Sequence, residues 1–189
     1  GATPTDSSFI EQFNNFTGAL TVSNHLFDGG ALPVIAGARR DFAIATLGDN
    51  RVFIIGGRSG PGAGSLITGA NAVLEFNPRT NILIPRGSTG FTPRHSFGAA
   101  AVQTNRGFRI YAAGGYAGTA AAAAPVATVE EYNPFNNTWR TVAPLPTAVA
   151  QFGITAAGGI NSAAPLQLVH VVSGNTGSEA APSLANLNP

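Results

Sequence analysis

Arg94-His95-Ser96-Phe97 opens a unit in which the hydrophobic run Arg109-Ile110-Tyr111-Ala112-Ala113 ends in Gly114-Gly115. The next run of that unit ends in Glu130-Glu131-Tyr132-Asn133-Pro134, and Trp139 follows six residues after the asparagine. This order of parts decides the fold because it recurs. Arg39-Arg40-Asp41-Phe42 leads into Val52-Phe53-Ile54-Ile55-Gly56-Gly57 and then into Leu74-Glu75-Phe76-Asn77-Pro78, with Leu83 in the tryptophan place. A third copy begins at Phe152 and carries Gly174-Asn175 where the paired glycine is expected, so that Phe42, Phe97 and Phe152 stand 55 residues apart. A period of about 40 to 55 residues made of short strands with a paired glycine reads as propeller blades rather than as a helical solenoid.

Apolar alternation and turn residues place strands in the first full unit at Phe42 to Leu47, Val52 to Ile55, Ala72 to Phe76 and Leu83 to Pro85. In the second they fall at Phe97 to Gln103, Phe108 to Ala112, Thr128 to Tyr132 and Trp139 to Val142. The glycine-rich stretch from Gly56 to Gly64 lacks the lysine and the following serine or threonine of a phosphate loop, and reads as a flexible loop. Its counterpart, Ala120 to Ala124 with Pro125, is low in complexity and is expected to be a surface loop of the same kind.

The ends of the chain are complementary. Ile10-Glu11-Gln12-Phe13-Asn14 aligns with Val129 to Asn133 and puts Leu20 at the tryptophan position, so the chain opens with the outer half of a blade. Phe152 to Ala156 and Leu166 to Val172 copy the first two strands, so it closes with an inner half. The division is 1–37 outer half-blade and linker, 38–93 and 94–148 blades, 149–176 inner half-blade, and 177–189 tail. Three blade equivalents are too few for a closed ring, since propellers usually have four to eight blades, and an open array leaves strand edges unpaired. A symmetric pair of chains would complete six blades, the same exchange without closure would give a filament, and a different propeller chain or a longer parent chain would also supply the missing blades.

The motif resembles the kelch repeat: an Arg-x-x-Phe-like entry, a strand ending in Gly-Gly, a strand ending Glu-x-Tyr-Asn-Pro, and a last strand opening on Trp. The likeness is nearly complete over the second unit and covers residues 39 to 146. It implies an all-β kelch-like propeller segment. It also implies a module for protein interaction or self-assembly, whose partner is the chain itself or another propeller chain. In kelch proteins that bind ligands at the ring opening, contacts come from the loop entering the inner strand and from the loop after the paired glycine. The matching positions are Arg39 and Arg94 in the first loop, and Arg58, Tyr116 and Asn175 in the second, with His95 adjacent. Arginine there would either clamp a carboxylate through its planar fork or bond carbonyls of neighbouring blades, and Val149 at the third copy favours the structural role. A ligand-binding propeller, or a mutarotase-like sugar enzyme using that face, is the alternative function. The copper-radical oxidases among kelch relatives need a cysteine linked to a tyrosine, which this chain cannot supply.

Composition narrows the field further. The 189 residues contain no cysteine, methionine or lysine, and only 10% are charged against a usual quarter. Disulfides, thiolate nucleophiles and cysteine metal sites are excluded. A net charge of +1 gives no electrostatic case for nucleic acid, and no apolar run approaches a membrane span, so membrane insertion is not expected. His25, His95 and His170 share no metal-ligand spacing, no Gly-x-Ser-x-Gly elbow is present, and neither a metal nor a cofactor is expected. Glu75 and Glu131 recur at one strand position with Gln12, which marks blade structure rather than a catalytic pair. Asn15-Phe16-Thr17 and Asn136-Asn137-Thr138 fit the N-glycosylation pattern. With the missing lysine and a start at Gly1 that suits a processed form, they point to an extracellular structural, filament or coat component.

Overall fold

The computed structural model describes residues 10–23, 26–27, 39–60, 64–118, 123–158 and 167–178. His25, most of the expected linker up to residue 38, Ala120 to Ala122 and the tail beyond 178 lie outside them.

The chain opens with a hairpin of β1 (Ile10–Phe13) and β2 (Leu20–Ser23), in which Phe13 lies opposite Leu20. A two-residue strand that the sequence pattern does not announce, β3 (Leu26–Phe27), then joins the outer edge of the first blade. That blade is built from β4 (Ala43–Thr46), β5 (Val52–Ile55), and, after the short ladder of β6 (Arg58–Ser59) with β7 (Ser65–Leu66), from β8 (Val73–Asn77) and β9 (Ile82–Pro85). The described ends of the glycine-rich stretch therefore form a short ladder, because Gly57 C=O and Arg58 find partners in Ile67 N–H and Leu66, while residues 61–63 of the expected loop lie outside the described residues.

The second blade repeats the plan with longer inner strands, β10 (Gly98–Thr104), β11 (Gly107–Ala113), β12 (Val129–Asn133) and β13 (Thr138–Thr141), all antiparallel and in chain order. The chain closes on the pair β14 (Gly153–Gly158) and β15 (Gln167–Val172). Registers are equivalent throughout, since Phe76 faces Leu83, Tyr132 faces Trp139 and Phe13 faces Leu20. Leu20 and Leu83 thus occupy the tryptophan place that the repeat assigned to them. Among the described residues there is no α-helix, and no helix is long and apolar enough to cross a membrane.

The sheets stack face to face. Ala43, Ala45, Phe53, Ile55 and Val73 of the first blade meet Phe97, Ala99, Ile110, Ala112, Tyr132 and Trp139 of the second in one continuous core. Phe53 meets Tyr132 edge-on at 5.6 Å, and Trp139 lies against both Tyr132 and Phe91. The opposite face of the first blade buries Ile54, Leu74, Phe76 and Leu83, and Ile10 of β1 packs onto it. Small residues in β10 let the closing pair approach, because a Cβ on Gly98 would come within 2.6 Å of Ile154 Cγ2. The order is hairpin, first blade, second blade, closing pair: an open arc of a propeller.

The paired glycine has a steric cause. Gly114 has φ +61°, and a Cβ there would lie 2.4 Å from Val149 C=O and 2.7 Å from the Phe152 ring of the following unit. In the third unit the register places Ser173-Gly174 at this position, with Asn175 one step beyond, correcting the expected Gly174-Asn175. Ser173 takes φ 64°, a conformation that disfavours side chains.

Candidate functional site

The residues expected to line a ring face divide into two environments. Arg94 is fully buried, and its guanidinium meets Glu130 Oε2 at 2.5 Å while donating to Ala112 C=O at 2.9 Å and Thr92 C=O at 2.9 Å. Glu130 also accepts from the Thr92 N–H and hydroxyl, so both members of the pair are nearly saturated. Arg39 holds the matching place in the first blade, where Leu74 stands instead of glutamate, and it donates only to Asn71 C=O at 2.8 Å and Gly56 C=O at 3.3 Å. Burial without a carboxylate lowers its pKa to about 10, and burial also lowers that of Arg94 against the pull of Glu130. Both side chains tie a blade's entry loop to its own second and third strands. Glu130, the partner that sequence reasoning missed, was marked only by its adjacency to the recurring Glu131.

Arg58, Tyr116 and Asn175 do share one position, since each pairs in an antiparallel bridge with Arg40, His95 and Ala150 respectively. Arg58 donates to Asp41 Oδ2 at 2.7 Å. His95 and Tyr116 are both fully buried with ring centroids 5.4 Å apart, and the Asn175 amide donates to the Tyr116 hydroxyl at 2.9 Å. The structure therefore brings His95, Tyr116 and Asn175 together at one seam between the second blade and the closing pair, with Arg39 and Arg58 at the first blade. Among the described residues no group of His, Cys, Asp and Glu side chains has the makings of a metal site.

The recurring glutamates are cross-linked within their blades. Glu75 accepts from Arg86 and Arg51. Glu131 accepts from Arg140 at 2.7 Å and from the Tyr111 hydroxyl at 2.7 Å. Burial opposes the Glu131 charge, but those hydrogen bonds and the charges of Arg140 and Arg109 together hold its carboxyl below the usual range. Burial first, then the bond to Glu131, pushes the Tyr111 phenol up to about 12. Asn15 and Asn136 both lie exposed at the tips of third-to-fourth strand turns.

Among the described residues a large concavity sits elsewhere, between the second blade and the closing pair. It has a volume of about 760 Å³ and is lined by Val102, Tyr111, Ala113, Val129, Leu145 and Leu168 among others. Its origin is plain from the first seam, where β12 and β13 cover the matching face of the first blade. Among the described residues the closing pair has no outer strands, and the same surface of the second blade is open there. Residues 93–146 match the family model of the kelch motif. These residues are a kelch repeat. They take in most of the second blade, and a kelch repeat is generally a protein-interaction unit, which fits a propeller partner. Among curated proteins no match to the chain was found.

Proposed function

We propose that this chain is a non-catalytic kelch module for protein interaction and self-assembly, acting as a structural component outside the cell. The observation that carries the reading is the distribution of bare apolar side chains. Phe42, just before the inner strand of the first blade, and Ile44 on it are 36% and 52% exposed, although their counterparts Phe97 and Ala99 are buried in the inter-blade core. Leu168 and Val172 at the other end of the arc are 57% and 60% exposed. Propeller blades stabilise one another by burying such faces, so each end of the arc is a half-made seam. An exposed apolar surface at both ends marks an interaction site. The lack of lysine, cysteine and methionine, common targets of modification and oxidation, suits a durable extracellular subunit, as do exposed sequons at Asn15 and Asn136.

Sedimentation of the wild-type chain, Ile44→Asp and Leu168→Asp over a concentration series tests the proposal. Concentration-dependent association that either substitution removes supports it. Unchanged sedimentation in both variants, or a wild-type monomer throughout, refutes it.

A further inference from the structure

The hairpin β1–β2 and the groove beside β15 are two halves of one missing seam. The hairpin already lies in blade position, because Ile10, the counterpart of Val73 and Val129, packs on the Ile54, Leu74, Phe76 and Leu83 face of the first blade. Its other face carries Phe13 and Leu20, the counterparts of Tyr132 and Trp139, and these are 67% and 62% exposed. In the intact seam, Tyr132 and Trp139 cover Phe53, Ile55 and Val73. The counterparts of those three on the second blade are Tyr111, Ala113 and Val129, which line the open groove. The bare residues thus match in kind and in position.

The strand edges and backbone agree. Among the described residues β1 pairs only with β2 and β15 only with β14. Inter-blade bonds also run in series, Ser96 N–H to Asp41 C=O and Gln151 N–H to Ser96 C=O, each at 2.8 Å. The next member, Asp41 N–H to a Gln151 C=O, has no acceptor within this chain's described residues. Among the described residues six of the eight exposed large hydrophobic side chains lie on these faces, and the other two, Phe16 and Phe135, are equivalent positions at turn tips.

Resting on the interaction reading above, we propose that the partner is a second copy of this chain, which inserts its β1–β2 hairpin beside β15 while receiving the same hairpin in return. The exchange makes two composite blades and closes a two-fold, six-bladed ring. The registers of the second blade, Ala113 opposite both Gly98 and Val129, fix the composite pairing. Val172, the counterpart of Ala113, faces the partner's Ile10, and Val169 faces the partner's Phe13.

The absence of native cysteine makes the register directly testable. The full-length double variant Ile10→Cys with Val172→Cys is expected to oxidise to a covalent dimer with no free thiol, since directly opposed residues meet disulfide geometry. A mixture of the two single variants gives a singly linked dimer. The control Ile10→Cys with Val171→Cys, whose side chains leave opposite faces of the sheet, stays unlinked. An intrachain disulfide, linking in the control instead, or no linking while wild-type chains still associate overturns the exchange and leaves the interaction reading standing. A ladder of multiples overturns the closed ring. A wild-type chain that is monomeric by light scattering overturns both.

Discussion

Replacing Glu130 by leucine, the residue at the matching place in the first blade, isolates the most deeply buried charge among the described residues, that of Arg94. The substitution leaves the Arg94 guanidinium with the Thr92 and Ala112 carbonyls and the Phe91 and Phe97 rings but no counter-charge, and it also strips the Thr92 N–H and hydroxyl of their acceptor. Neither Arg94 nor Glu130 has contact with solvent to soften the loss, at 0% and 1% side-chain exposure. Breaking a buried pair by removing one partner typically costs about 3 to 5 kcal/mol. Arg39 shows that this fold tolerates a buried arginine held by carbonyls alone, even with its Nε unpartnered, which puts the expectation at the lower end, about 3 kcal/mol. Arg94→Val, the residue that the third unit uses, should cost a similar amount alone. The double variant should cost less than the sum by more than about 1 kcal/mol, because it leaves no unpaired charge. Urea unfolding at one fixed protein concentration provides all three values. A loss below about 1 kcal/mol for Glu130→Leu, or strict additivity, would refute the role given to this pair.

Other consequences follow from single residues. Gly114→Ala would place a Cβ 2.4 Å from Val149 C=O at φ +61°, and is expected to abolish soluble, cooperatively unfolding protein; normal thermal unfolding would contradict the close-approach account. Ser173→Gly relieves a left-handed φ of 64° and should raise stability by about 1 kcal/mol, read as an increase in Tm. The Glu131 carboxyl is held low, so it favours the folded state above the unfolded carboxylate range and that contribution fades as pH falls through its folded value; Glu131→Gln should flatten the acid limb of stability against pH. Burial raises the Tyr132 phenol from 10.0 to about 12, so its contribution is intact below pH 10 and lost as pH climbs towards 12, which tyrosinate absorbance against folding signal will register.

Strand positions were legible because each blade strand alternates or ends on punctuation. Val52–Ile55 matches its expected span, and Val129–Asn133 starts and ends one residue later than expected. The identity of the third-to-fourth strand pairs was equally readable, since Leu20 and Leu83 keep the spacing of Trp139. Leu26–Phe27 was not legible, because two residues joining an edge in parallel leave no periodic trace. The place of the paired glycine at Ser173-Gly174 was not legible, because Ser173 hides the first position and only the strand register fixes it. The environment of Arg94 depended on Glu130, 36 residues away, which only three-dimensional pairing reveals. Likewise, Phe42 and Phe97 read alike in sequence but differ in exposure, since burial here depends on whether a neighbouring blade is present.

The mass of the unmodified chain in solution, taken by light scattering at micromolar concentration, bears most directly on the claim that this arc is finished by a second copy. The exchanged dimer has twice the 19.1 kDa chain mass, and that is the expected result. A stable, folded monomer would contradict it.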